Sequence, residues 1–233
     1  MIRVAGITSN TVPWEILRAA GYTPRLLEYE PGPTPLADRY MEDVFDSRIR
    51  VIFDRLSENA WQDLDLVVIP RTSESEHKLY LYLREMRRRG HLDRPDLYFY
   101  DLLHTHTPES YDYGLERTRR MIADFGVSDV ALSAAIVESN GARAALREIQ
   151  RRRDSGVLQG SVALDLIRPF YLEDRATFAS QLTARLASAS DPNPTTRPKI
   201  LISGYACGNA NLHRFTEGAG GYVVAEDDWL GSR

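Results

Sequence analysis

Six residues, Leu64-Asp65-Leu66-Val67-Val68-Ile69, constrain the fold of this chain more than any others. A short, nearly continuous apolar run bounded by breakers reads as a strand buried on both faces, and such strands belong to parallel sheets covered by helices. Pro70 ends the run, and a polar turn follows, Arg71-Thr72-Ser73-Glu74-Ser75. The segment HKLYLYLREMRRR then predicts a helix. Ligands of open α/β sheets collect at the carboxyl ends of the strands, so this turn is the first place to look for a site.

The flanking sequence repeats the pattern. Residues 2–7 read as a first strand, and the turn Thr8–Pro13 leads into the helix WEILRAAG, with Thr11 a candidate cap and Gly21 a stop. Pro24–Tyr29 is the second strand. A strand, a helix and a strand in this order imply parallel pairing. After a loop with three prolines, one long helix is predicted over Leu36–Leu56, because Tyr40, Val44, Ile49, Phe53 and Leu56 recur at helical spacing. Leu97–Tyr100 predicts a further strand, ending in the polar turn Asp101–His106.

Residues 110–190 are helical in pattern, with a stop at Gly126. Ser188–Pro198 has linker composition. Beyond it come a strand at Lys199–Ser203, the helix NLHRFTEGAG and a strand at Tyr222–Ala225. The expected organisation is an α/β domain over 1–190 that includes the helical region 110–190, a linker at 191–198, and the start of a second Rossmann-like domain at 199–233. The fold class is α/β: a parallel Rossmann-like sheet flanked by helices, a helical insertion and a partial second Rossmann-like unit. Two strands and one helix cannot cover both faces of a parallel sheet. The last segment therefore calls for another chain, for docking on the first domain, or for more polypeptide.

Composition removes several function classes. Twenty-nine Lys and Arg against 33 Asp and Glu give a net charge of −4, which is no basis for expecting a nucleic-acid partner. The arginines at 87–89 and in the 150s read as solvated helix ends. Cys207 is the single cysteine, so an internal disulfide, a zinc site built on several thiolates and a self-contained iron–sulfur cluster are all excluded. The first residues lack a signal-peptide pattern, and no apolar run reaches the length of a membrane span. A cytoplasmic location without membrane contact is the expectation.

Four groups carry candidate chemistry. Ser73, Glu74, Ser75 and Glu76 form either a ligand-facing turn or a helix cap, since Ser73 with Glu76 three residues on matches a capping box. His104 and His106 are either acid/base or metal-binding groups, or structural loop residues. Glu226, Asp227 and Asp228 hold a cation or amine, or form a solvated turn, and the turn is the preferred reading. Cys207 is a reactive thiol or an inert one, and the inert reading is preferred.

Several phrases, in order and with matching spacing, carry a family resemblance. They are Val12-Pro13-Trp14-Glu15, Ala19-Ala20-Gly21 with Pro24, Thr34–Tyr40, Ile200–Gly204, Glu217–Gly220 and residues 226–233. The chain resembles the 2-hydroxyacyl-CoA dehydratase and benzoyl-CoA reductase subunits, of the 2-hydroxyglutaryl-CoA dehydratase D-component type. The resemblance implies an acyl-CoA substrate, paired related subunits, an ATP-dependent activator and a [4Fe-4S] cluster held by cysteines. Those cysteines would fall at Asp46 or Ser47, at Ser73 and near Trp229, and none of these is cysteine. The implied function is a lyase-type subunit that binds no cofactor or metal by itself and acts with a cluster-bearing partner. Ser73, Glu74 and His104 are the candidate catalytic residues, for non-redox acid/base work. A cluster-free acid/base enzyme on a small acid or thioester, and a non-catalytic interaction protein, are the alternatives.

Overall fold

The apolar run predicted as a buried strand is β3 (Leu66–Pro70), and every residue of it is buried. In the computed structural model it lies inside a four-stranded parallel sheet with β1 (Arg3–Ile7), β2 (Tyr22–Leu26) and β4 (Asp96–Tyr100), in the order β2-β1-β3-β4. Residues 2–189, 195–204 and 209–228 are described. The chain divides into two units, Met1–Ser133 and Ala134–Arg233.

In the first unit β3 shows why both faces of the sheet are covered. Its side chains alternate: Val67 and Ile69 join one apolar cluster, Leu66 and Val68 the other. The first cluster is closed by α2 (Pro35–Tyr40), α3 (Ser47–Ser57) and α4 (Glu74–Arg88), through Ala37, Ile49, Phe53, Leu79 and Leu83. The second is closed by α1 (Trp14–Ala19) and α5 (Pro108–Asp124), through Trp14, Leu17 and Met121. A helix on each face is the requirement that parallel crossovers impose.

Several local expectations change: the second strand, predicted over Pro24–Tyr29, is Tyr22–Leu26, and Pro70, expected to break its strand, is the last residue of β3. The single helix predicted over Leu36–Leu56 is two helices, α2 and α3, separated at Met41, which is extended at φ −109° and ψ 154°. Val44, counted as part of an apolar stripe, is 78% exposed. The break has a capping cause: Asp46 accepts a hydrogen bond from the Ile49 N–H and starts a new helix. Thr11 does not cap α1, which begins after Pro13 without a side-chain cap. Gly21 does follow its end, at φ +82°.

The second unit contains most of α6 (Asp129–Asp154), then α7 (Gly160–Ile167), α8 (Pro169–Leu172) and α9 (Arg175–Ala189). It ends with β5 (Lys199–Ser203), α10 (Asn211–Gly218) and β6 (Tyr222–Asp227), and the two strands pair in parallel. Here α7 approaches β6 so closely that a Cβ on Gly160 would lie 2.3 Å from the Val223 carbonyl oxygen. No helix among the described residues is long and apolar enough to cross a membrane.

The close approach makes a paired prediction. Gly160→Ala should cost about 1–3 kcal/mol in urea unfolding, because the obstacle is backbone and cannot rotate away. Gly141→Ala in α6, whose added methyl meets nothing within 4 Å, should raise stability by about 0.5–1 kcal/mol.

Candidate functional site

Strand order marks the edge at which a ligand is expected. The chain leaves β1 towards β2 on one side while β3 lies on the other, so the carboxyl ends of β1 and β3 flank a topological switch point. Thr8 and Ser9 follow β1, Arg71 to Ser73 follow β3, and Asp101 follows β4.

Three polar layers meet there. The first is the helix starts. Ser73 is extended, and its hydroxyl accepts the Glu76 N–H at 3.2 Å, while the Asp46 carboxylate accepts the Ile49 N–H at 2.9 Å. Each residue meets one of the orphan amides of its helix.

The second layer is buried. A capping box would send the Glu76 carboxylate back to the Ser73 amide. Instead its Oε1 accepts the Thr8 hydroxyl at 2.8 Å and lies 3.4 Å from Nη2 of Arg48. Arg48 Nη1 donates to the Thr8 carbonyl, closing a triangle. Thr8, Arg48 and Glu76 are 0%, 5% and 1% exposed. The third layer is hydroxyl. Thr72 Oγ1 lies 2.8 Å from the Ser9 hydroxyl and 2.6 Å from that of Thr11, which joins the β1–α1 turn to the β3–α4 turn.

A more exposed chain of contacts runs along the same edge. Arg71 donates to Glu74 at 2.8 Å and stands 3.7 Å from Asp101, which accepts the Tyr113 hydroxyl at 2.5 Å. The hydrogen bond from Arg71 holds the Glu74 carboxyl below the ordinary carboxylate range. That from Tyr113 to Asp101 pushes the phenol up. His77, 3.7 Å from Glu74, stacks on Phe99 at 5.3 Å between ring centres.

Of the residues singled out from sequence, Ser73 and Glu74 thus lie on the carboxyl edge, and Asp46 is the α3 cap. Ser47, the first residue of α3, is exposed. His104 and His106 are exposed and make no hydrogen bond or ion pair among the described residues. Cys207 and Trp229 lie outside the described residues. Among the described residues, no group of three His, Cys, Asp or Glu side chains is placed to hold a metal ion. Sequence reasoning named Arg71 in the turn after β3 but missed Thr8 and Arg48 as parts of this edge. Only His77, three residues after Glu74 on one helix, left a signal in the spacing.

In the second unit the acidic turn is not simply solvated. Glu226 is 3% exposed and takes both Nη1 and Nη2 of Arg153 at 2.6 Å, with His213 Nε2 on the same carboxylate. Arg153, read from sequence as a solvated helix end, is fully buried, and its Nε donates to the Val223 carbonyl at 3.0 Å. Burial pushes the Glu226 carboxyl up, but the hydrogen bonds from His213 and Arg153 outweigh it and hold the group below its ordinary value of 4.5.

A sequence model of the family described as 2-hydroxyglutaryl-CoA dehydratase, D-component, matches residues 10–233. Comparison with curated proteins returns no match.

Two measurements test the geometry. Ser73→Ala should lower stability by about 1 kcal/mol through loss of the cap, read from the urea midpoint. For Glu226 the folded carboxyl is the more acidic, so the unfolded chain binds more protons in the acid range. Its contribution is full above 4.5 and is lost as pH falls below that value. Glu226→Gln, which strands the buried Arg153 charge, should cost about 3–5 kcal/mol at neutral pH and flatten that part of the stability–pH curve.

Proposed function

We propose, starting from the fact that this chain belongs to the 2-hydroxyglutaryl-CoA dehydratase D-component family, that it is a dehydratase-type subunit without an iron–sulfur cluster of its own. In this reading it works in the cytoplasm beside a related, cluster-bearing subunit, as part of a lyase acting on an acyl-CoA. The partner brings the electron chemistry. This chain contributes one wall of the acyl-binding crevice.

One observation carries the cluster-free part. At Asp46 and Ser73, two of the positions where the resemblance expects thiolates, the side-chain oxygens each hold a helix N–H. The residues present do not fit a [4Fe-4S] cluster. Hard oxygen donors match iron–sulfur chemistry poorly. The buried Arg48 guanidinium, in the first turn of α3, already pairs with Glu76 in the first turn of α4.

In this reading Ser73 and Glu74 shape the turn. The Ser73 hydroxyl is a cap, and Arg71 keeps Glu74 ionised and weakens it as a base. The half-buried hydroxyls of Thr11 and Thr72 are the groups that meet a ligand carbonyl or hydroxyl in this reading.

Anaerobic purification, alone and after co-expression with a cluster-bearing homologue, tests both parts. The expected result is a colourless chain that lacks iron and sulfide when alone and co-elutes with a brown partner. Stoichiometric iron and sulfide in the chain alone would overturn the cluster-free part. A chain that elutes apart from every cluster-bearing homologue would overturn the subunit role.

A further inference from the structure

The two helix starts that do not fit a cluster are nevertheless joined. We infer that the buried Arg48–Glu76 pair, closed by Thr8, replaces the iron–sulfur cluster as the internal cross-link of the crevice. The inference rests on the cluster-free reading above and on nothing about the partner. Arg48 lies two positions after Asp46, in the first turn of α3, and Glu76 three after Ser73, in the first turn of α4. Thiolates at the two caps would tie these turns through iron. Here a guanidinium and a carboxylate tie them directly, at 3.4 Å, in a place where Arg48 and Glu76 are 5% and 1% exposed.

Three features distinguish this from an incidental ion pair. First, the side chain of Glu76 gives up the local capping-box contact to reach inward to the Thr8 hydroxyl. Second, Arg48 spends another donor on the Thr8 carbonyl, so the end of β1 is held by the same two side chains. Third, the caps are independent of the pair: Asp46 and Ser73 use their own oxygens on first-turn amides. The caps therefore set where each helix begins, and the ion pair sets how far apart the two beginnings stand. The crevice wall is then fixed without iron and is indifferent to oxidation.

The test uses the full chain and thermal unfolding in air, with and without a strong iron chelator. Wild-type Tm should not move with chelator. Glu76→Gln and Arg48→Met each remove one charge of the buried pair, and each should lower Tm by on the order of 10 °C. The double variant Arg48→Met/Glu76→Gln leaves no charge to strand and should recover at least half of the summed loss. Hydrogen exchange should speed up at the Thr8 and Leu27 amides, which bond at the carboxyl end of β1, in Glu76→Gln more than at amides of β3. If the losses simply add in the double variant, or the two amides are unaffected, the cross-link is overturned. Should the single variants not fold, a folded double variant supports the inference and an unfolded one overturns it. A chelator-dependent wild-type Tm is a separate outcome, which removes the cluster-free reading itself.

Discussion

Parallel strands cannot be joined by tight turns, and most of this protein follows from that constraint. Each connection in the first unit is a crossover, so all four strands end at one edge of the sheet and several helices begin there. Helix starts bring amides with no partner inside the helix, and strand ends bring carbonyls that have left the ladder. The side chains at the edge answer these needs first. Ser73 and Asp46 take amides, Arg48 takes the Thr8 carbonyl, and the Arg71 amide finds the Tyr100 carbonyl at 3.0 Å. Any ligand chemistry at this edge is built from what remains after that local demand is met.

Sequence patterning showed the layers well and the contacts between them poorly. The strands were legible because the burial of β3 on both faces demands an apolar run, and β3 positions the rest of the sheet. The gap between α2 and α3 was not. Tyr40 and Val44 continue a helical spacing, and only the capping role of Asp46 shows that the helix begins anew. The inward turn of Glu76 was equally hidden. The capping box is a local rule, and it lost to partners 28 and 68 residues away in sequence. Arg153 and Glu226 were both read as solvated because each looks like a surface group until the other, 73 residues distant, is placed beside it.

Each unit thus keeps a buried Arg–Glu pair close to the end of a strand. Ion pairs on the surface, such as Glu85 with Arg88 and Arg89, are screened by solvent and contribute little. A buried pair is different in kind. Desolvation of two charges costs several kcal/mol, and only close geometry with further hydrogen bonds offsets it. Both pairs have such additional partners: Thr8 in one, His213 and the Val223 carbonyl in the other. Their net stabilisation is therefore small, while the penalty for separating them is large. Interactions with that asymmetry fix an arrangement more than they deepen a free-energy minimum.

The three hydroxyls of Ser9, Thr72 and Thr11 have a different character. Two hydrogen bonds join three O–H groups, so one hydrogen is left over, and the direction of donation is not set by the heavy atoms. Donation running from Ser9 through Thr72 leaves the Thr11 hydrogen for an acceptor outside the row. With the opposite polarity, Thr11 gives its hydrogen to Thr72 and turns only lone pairs outward. The row of hydroxyls is thus amphoteric in hydrogen bonding. It can greet a carbonyl as a donor or a hydroxyl as an acceptor by rotating three light atoms, with the backbone beneath unmoved.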